Sequence, residues 1–353
     1  MNIYLSNKIT ALNIFLIILV VYIHSYNLKN TEQFGINKTI IFIENLFSNG
    51  LCRTAVPIFF IISGYLFYNK TILNFWSDYF IKLKKRFYSI FLPYVFWNLI
   101  SIAFVLIVLF TGKFDSFISK AYFEKNMLLE IFNLIFLTPV SYQLWFIRDL
   151  MILVIFSPLI FLCIKKFNVY FLSIIFLCYI IRNDLYLIAS ESLFYFALGC
   201  YVSLKNPLLF QKKIAYKVIV IIGLLWIIII TMKTFFLVNN YTSVNHLFLM
   251  QKAANILGVI FIWFFYDDIV RFSLINHYLQ KISAYSFFIY LAHEPYMDYL
   301  QKVLIKVFKV DINLKLAILY LFLPILTILI CICISTFMKR FLPKILSILV
   351  GWR

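Results

Sequence analysis

The chain has 353 residues, of which 64% are hydrophobic and 13% are charged, about half the charged share of an ordinary soluble domain. This composition excludes a soluble globular fold and predicts an all-α, polytopic membrane protein in which residues 1–353 form one transmembrane domain. The net charge of +18 does not indicate nucleic-acid binding, because the lysines and arginines lie in short loops between apolar runs. We therefore expect membrane lipid, and no nucleic acid, as a partner.

Taken in chain order, recurring apolar runs predict about ten transmembrane helices, since about 20 residues suffice to cross a bilayer. The runs cover residues 9–28, 52–69, 87–111, 144–164, 168–182, 189–204, 214–233, 250–266, 283–305 and 314–338. Six cysteines form no CxxC pair and lie mostly inside these runs. Cysteines of this kind behave as small apolar residues, so we expect no metal site.

The basic residues predict the orientation of the spans. Most of them fall on one side if both termini are cytoplasmic. That side would carry Lys70, Lys82, Lys84, Lys85, Arg86, Lys165, Lys166, Lys205, Lys212, Lys213, Lys217, Lys339, Arg340, Lys344 and Arg353. One loop does not follow this pattern, because the same topology places its lysines on the outer side. They are Lys302, Lys306, Lys309 and Lys315.

With this topology, polar groups from five spans lie at one depth near the outer leaflet. They are His24, Arg53, Trp145, Arg148, Asp149, Glu191, His293 and Glu294. Ionisable groups at such depth are costly, so they pair with one another or line a water-filled cavity. The polar layer is therefore where we expect the chemistry of this protein.

Two interpretations of the polar layer remain open. In the first, Arg53, Arg148 and His293 surround one cavity with His24, and a glutamate of the layer neutralises the arginines. In the second, the charges are structural ion pairs that hold the bundle, and His293 is a helix-packing group.

The backbone near the polar layer contains helix-breaking and small residues. Pro57 opposes the carbonyl of Arg53 and Pro295 opposes that of Leu291, so each removes one helical hydrogen bond. The pair Ser63-Gly64 lies in the middle of the second span, where a neighbouring helix or a slender ligand could approach closely.

Several segments resemble the acyltransferase-3 family of integral membrane O-acyltransferases. The matching pieces are LVVYIHS at 19–25, RTAVPIFFIISGYLF at 53–67, KKRFYSIFLPYVFWN at 84–98, LWFIRDL at 144–150, FYFALGCYV at 194–202 and SFFIYLAHEP at 286–295. They span most of the chain in the family's order. The chain departs from the family pattern at Thr10, Asn13 and Ser89, where charged residues are usual.

The resemblance implies an enzyme of the bacterial cytoplasmic membrane that uses acyl-CoA, usually acetyl-CoA, as co-substrate and has no tightly bound cofactor. Its acceptor would be a hydroxyl of a glycan or lipid-linked glycan at the outer face. His24 would act as general base, and an arginine such as Arg53 or Arg148 would stabilise the oxyanion, with His293 beside them. An acyl-histidine intermediate is the competing route.

The same resemblance implies two binding regions. Lys84, Lys85 and Arg86 would pair with the phosphates of CoA at the cytoplasmic mouth, although these cations also act as topology signals. The pantetheine arm would pass Ser63 and Gly64. The side chains expected to contact the acceptor are Trp145, Asp149, Glu191 and Glu294.

Two other functions use the same sequence features. A small-solute transporter would use the polar layer as a substrate path. A non-catalytic membrane subunit would explain the missing charge at Asn13.

Overall fold

The computed structural model describes residues 3–26, 37–68, 75–111, 127–181, 184, 188–269, 273–308 and 313–352. The regular secondary structure within these ranges is helical, which confirms the predicted all-α class. Lys70, Lys309 and Arg353, used above to predict orientation, lie outside the described residues, as do the ends of the predicted spans 9–28, 52–69 and 168–182.

The helices follow the apolar runs, because a chain in lipid must satisfy its backbone polar groups internally. The first part of the chain forms α1 (Ile3–His24), α2 (Lys38–Leu46), α3 (Ala55–Tyr68), α4 (Phe75–Arg86), α5 (Leu92–Thr111), α6 (Met127–Phe136), α7 (Trp145–Ile155), α8 (Ser157–Phe167) and α9 (Val169–Ile181). The second part forms α10 (Ser190–Lys205), α11 (Tyr216–Asn239), α12 (Val244–Ile269), α13 (Ser273–Ser283), α14 (Ser286–Ala292), α15 (Tyr296–Val307), α16 (Asn313–Phe341) and α17 (Pro343–Leu349).

Within the described residues, six helices are long and apolar enough to cross a membrane. They are Ile3–His24, Lys38–Tyr68, Trp76–Val108, Tyr216–Asn239, Val244–Asp268 and Leu314–Phe341. Helices α7 and α8 are bent by 61° and add a seventh if the bent pair crosses as one span.

The predicted number of about ten spans is therefore not confirmed, since a crossing takes about 20 residues. The predicted spans 168–182 and 189–204 correspond to α9, with 13 residues, and α10, with 16. The predicted span 283–305 is divided near Pro295 into α14, with 7 residues, and α15, with 12.

The second helix is longer and less regular than its predicted span, which began at residue 52. Helix α2 continues into α3 through a π-helical segment, Phe47–Leu51, and a 3-10 turn, Cys52–Thr54. The amide of Cys52 donates to the carbonyl of Phe47, five residues earlier, as a π-turn requires. Such turns occur frequently at functional sites. Arg53 is carried by this irregular stretch.

Helices α3 and α10 pack backbone to backbone through two glycines. A Cβ added to Gly64 would lie 2.1 Å from the carbonyl oxygen of Phe196, and one added to Gly199 would lie 2.1 Å from that of Ile61. Small residues permit this approach in membrane bundles. A neighbouring helix, one of the two alternatives left open by the sequence, thus occupies this face of Gly64.

Helix α3 connects two chemically different ends of the bundle. Its 14 residues span about 20 Å at 1.5 Å per residue, from the neighbourhood of Arg53 to Tyr68. At the second end, the Lys82 ammonium donates to the carbonyl of Phe67 at 2.6 Å. The cations that end α4 follow within one turn, so they lie far along α3 from Arg53.

Candidate active site

Two histidines from distant parts of the chain face each other. The ring centroids of His24, at the end of α1, and His293, just after α14, are 5.3 Å apart with an angle of 57° between the ring planes. His24 is half-buried and His293 is 0% exposed. The structure therefore brings together the two imidazoles that sequence analysis placed in one layer.

The surroundings of His293 define which ring nitrogen carries the proton. Its Nδ1 lies 3.0 Å from the carbonyl oxygen of Ile289. A carbonyl oxygen can only accept, so in the neutral ring Nδ1 carries the hydrogen and Nε2 presents a lone pair. Nε2 is buried and has no hydrogen-bond partner among the described residues. One hydrogen bond thus orients the ring and leaves a basic nitrogen available.

The break between α14 and α15 is held by polar side chains from the segment before α7. Pro295 lacks an amide hydrogen, so it leaves the Leu291 carbonyl without its helical donor. The Gln143 amide nitrogen lies 3.4 Å from that carbonyl oxygen and 3.1 Å from the carbonyl oxygen of Glu294. The Ser141 hydroxyl also donates to Glu294, at 3.1 Å. These bonds fix the backbone on which His293 sits.

Two aromatic residues, one just before α7 and one at its first position, adjoin the histidines and α3. The Tyr142 ring centroid lies 6.0 Å from that of His24, in an edge-on arrangement, and Tyr142 is 68% exposed. Trp145, predicted to contact the acceptor, is half-buried and packs against Phe60 with a centroid distance of 6.3 Å. Tyr142 therefore forms an open side of the histidine pair.

Arg148 and Asp149 pair with each other. Arg148 Nη2 lies 3.0 Å from Asp149 Oδ1, and a second guanidinium nitrogen donates to the Leu137 carbonyl. The other carboxylate oxygen of Asp149 accepts from the Ser192 hydroxyl at 2.8 Å and the Ala189 amide at 3.2 Å. Asp149 is thus the counter-charge of Arg148, in place of the glutamate expected from the sequence. This network ties α7 to α10 and to the loop that carries Tyr142.

Arg53 belongs to a separate polar network. Its guanidinium donates to Asn49 Oδ1 at 3.2 Å, and its side chain is exposed. The Lys233 ammonium donates to the Asn49 carbonyl at 2.7 Å and to Gln251 Oε1 at 2.6 Å. Gln251 donates to Asn255 at 2.8 Å, which completes a chain of hydrogen bonds from the π-helical segment into α12.

Glu191 closes this second network from α10. It accepts from the Asn255 amide at 3.0 Å and lies within electrostatic range of Arg53 and Lys252. Lys252 is 4% exposed, and its ammonium lies 4.4 Å from the centroid of the Tyr179 ring. Glu191, which the sequence offered as a counter-charge for Arg53, therefore lies near it but forms no direct ion pair with it among the described residues.

Sequence analysis missed Lys233 and Lys252 as members of the polar layer. Both lie inside apolar runs that were predicted as spans 214–233 and 250–266. A lysine within a membrane run is costly for the same reason as a histidine. The two lysines therefore could have been recognised from the sequence, but each belongs to a run whose other residues are mostly apolar, and the run was interpreted as a whole.

The residues predicted to bind the donor lie away from the histidines. Lys84 and Lys85 are exposed and Arg86 is half-buried, at the end of α4. Ser63 is half-buried in α3, next to the packed Gly64. Among the described residues, no group of three histidine, cysteine or carboxylate side chains is placed to hold a metal ion.

Comparison with known proteins adds a family to this geometry. Residues 7–336 match a family model described as an acyltransferase domain. Succinoglycan biosynthesis protein ExoH of Rhizobium meliloti is 25% identical over 358 residues, which cover 99% of this chain and 92% of that relative. No solved structure matches the chain.

The apolar helices and their polar layer define an integral membrane protein. Because the family match extends over nearly the whole sequence, this chain belongs to the acyltransferase-3 family and is an acyltransferase. The match confirms the resemblance that was read from the histidine, arginine and glycine-containing segments.

Proposed function

We propose that the protein is a membrane O-acyltransferase that moves an acyl group, acetyl in the simplest case, from cytoplasmic acyl-CoA to a hydroxyl of an extracytoplasmic glycan. The observation that carries this proposal is the histidine pair, with centroids 5.3 Å apart and one ring nitrogen of His293 unpartnered among the described residues. The relative ExoH is named for the biosynthesis of succinoglycan, which supports a glycan as the acceptor.

The reaction needs one general base that takes the proton of the acceptor hydroxyl and then gives it to the leaving thiolate. The acceptor oxygen attacks the thioester carbonyl carbon while a ring nitrogen of His24 takes the hydroxyl proton. The tetrahedral intermediate expels the CoA thiolate, and His24 gives the proton to that sulfur. The O–H and C–S bonds break and the C–O and S–H bonds form, without a change in oxidation state.

His293 supports His24 in this scheme. Its Nε2 accepts a hydrogen bond from the neighbouring imidazole or from the acceptor hydroxyl, which fixes the tautomer of His24 or orients the nucleophile. Burial of His293 keeps this nitrogen away from bulk water, where it would otherwise be solvated.

The two arginines differ in what they can offer a substrate. Arg148 uses three of its nitrogens on Asp149 and Leu137, so we assign it to positioning the loop before α7. Among the described residues Arg53 makes one hydrogen bond, to Asn49, and it is exposed, so most of its five donors face no partner there and suit a substrate.

The donor would enter from the opposite end of α3. Lys84, Lys85 and Arg86 form a compact group of cations there, suited to the phosphates of CoA. The pantetheine arm would then run along α3, past Ser63, toward His24. This arrangement fits a cytoplasmic donor and an acceptor on the far side of the membrane.

The test is transfer in proteoliposomes that contain acetyl-CoA labelled in the acetyl group, with glycans extracted from the host envelope as acceptors. We expect label in the glycan with the native protein and a loss of at least about a hundredfold with His24→Ala, the range of general-base catalysis. His277→Asn, at an exposed histidine on α13, is the matched control.

The same assay separates the alternatives. Label that accumulates on the protein after incubation with the donor alone indicates an acyl-histidine route. Solute uptake without labelled glycan indicates a transporter. Normal transfer by a folded His24→Ala protein rules out His24 as the base.

A further inference from the structure

The polar network around Arg53 contains cations that lack direct anionic partners. Among the described residues, neither Arg53 nor Lys233 has a carboxylate within salt-bridge distance. Lys233 is 4% exposed, and both of its hydrogen-bond acceptors are neutral oxygens. A buried ammonium without a counter-charge is costly, because neutral oxygens replace only part of its hydration.

The two cations also lie close enough to repel each other. Lys233 is within electrostatic range of Arg53, with Asn49 bonded to both side chains. Like charges held together in a membrane protein destabilise the fold unless an anion lies near them. Glu191 is the nearby carboxylate, but among the described residues it accepts its hydrogen bond from Asn255, so it attracts Arg53 only from a distance.

The network reaches the end of α1 that carries His24. Helix α1 packs against the π-helical segment and against the 3-10 turn that carries Arg53. The hydroxyl of Ser48, one residue before Asn49, bonds to the Tyr22 carbonyl at 2.6 Å. The π-helical segment that precedes Arg53 therefore lies against the last turn of α1, which carries His24.

We propose that Arg53 and Lys233 form an anion-binding subsite near the end of α1 that carries His24, which takes a carboxylate group carried by one of the two substrates. The exposed, planar guanidinium binds the anion directly through paired N–H donors. Lys233 lies behind it, keeps one ammonium hydrogen unused among the described residues, and adds its charge to the site. This inference rests on the proposed acyl transfer, since it assigns a chemical class to a substrate of that reaction.

The first test measures anion binding without turnover. The melting temperature of the purified protein in detergent is recorded in inorganic phosphate and in chloride at equal ionic strength. Phosphate stabilises proteins generally. The quantity compared between variants is therefore the phosphate increment, which is the rise in melting temperature when chloride is replaced by phosphate. The variants are Arg53→Gln, Lys233→Met and His24→Ala.

The matched control is Lys38→Gln, which removes one exposed cation from α2, about 16 Å along the helix from Asn49 at 1.5 Å per residue. We expect a larger increment in the native protein, in His24→Ala and in Lys38→Gln than in Arg53→Gln and Lys233→Met. Equal increments in all five proteins overturn the subsite.

The second test identifies which substrate carries the anion. Acetyl-CoA and malonyl-CoA form a donor pair that differs by one carboxylate, and gluco- and glucurono-oligosaccharides of the same linkage form an acceptor pair. We expect Arg53→Gln to raise KM for the acidic member of one pair by roughly tenfold or more, the factor that loss of a charged hydrogen bond corresponds to. KM for its neutral twin stays within about twofold of native, well below that factor.

A selective effect on the donor pair assigns the anion to the acyl group, and one on the acceptor pair assigns it to the glycan. An equal effect on both members of each pair overturns the proposal. A protein that responds to phosphate but transfers no acyl group refutes the proposed function and leaves the subsite standing, so the two failures are distinguishable.

Discussion

Replacing His293 by asparagine separates its packing role from a role in catalysis. Both side chains carry a nitrogen on Cγ, so the asparagine amide can donate to the Ile289 carbonyl as His293 Nδ1 does at 3.0 Å. The substitution removes Nε2, the buried atom without a partner among the described residues. If His293 only packs, His293→Asn should behave like the native protein.

The size of each effect follows from the same geometry. Asparagine is smaller than histidine by roughly 40 Å³, and a cavity of that volume costs about 1 kcal/mol. A group that orients the base or the nucleophile contributes roughly 10²-fold in rate, which corresponds to about 3 kcal/mol of barrier. We therefore expect His293→Asn to lose turnover far out of proportion to its loss of stability.

The assay is single-time-point transfer of labelled acetyl groups in proteoliposomes, normalised to folded protein, with melting temperature measured in parallel. His293→Gln, which places an amide near the position of Nε2, should recover part of the lost turnover. His277→Asn again controls for a histidine-to-asparagine change. A His293→Asn protein that keeps more than about a third of native turnover, against the hundredfold loss expected, refutes the role given to Nε2.

Gly64→Ala should destabilise the bundle by about 1–3 kcal/mol, because the added Cβ would lie 2.1 Å from the backbone of α10. The control is Gly50→Ala, whose added Cβ has its nearest contact at 3.4 Å. Equal melting temperatures of the two variants would contradict the packing of α3 on α10. Arg148→Met should lower the free energy of unfolding by about 3–5 kcal/mol, because it leaves the buried Asp149 without its ion-pair partner. Adding Asp149→Leu should restore part of this stability. A double variant that is no more stable than Arg148→Met would contradict the ion pair. Tags at both termini should resist membrane-impermeant reagents in intact cells; labelling of either one would contradict the prediction that both termini are cytoplasmic.

Hydropathy predicted the helical class but not the number of crossings. The apolar run 144–164 looks continuous in sequence, yet the chain bends by 61° between Ile155 and Ser157. The sequence pattern shows which residues are apolar. Whether a helix bends depends on the side chains and helices that pack beside it, which the pattern does not show. Helices α9 and α10, with 13 and 16 residues, are shorter than the roughly 20 residues that a crossing takes, and only their apolar composition favoured them as spans.

The candidate site was predictable where a costly residue type interrupted an apolar run. His24 and His293 were found in this way, and the structure places their rings side by side. Partner choice was not predictable, since Arg148 pairs with the adjacent Asp149 rather than with a glutamate from another span. Lys8 shows the same limit: it resembles a flanking topology charge, but its ammonium is buried, pairs with Asp267 at 2.9 Å and lies 4.8 Å from the Trp263 ring centroid.

The π-helical segment Phe47–Leu51 holds one extra residue within the helix that leads to Arg53. A π-turn takes up this residue by widening, so it turns the chain by nearly the same angle as an α-helical turn. One residue lost from this stretch would therefore let the wide turn relax into an α-helix, while Asn45 and the chain before it kept nearly the same direction relative to Arg53. One residue lost from a regular part of the same helix would instead rotate one side of it by about 100° relative to the other.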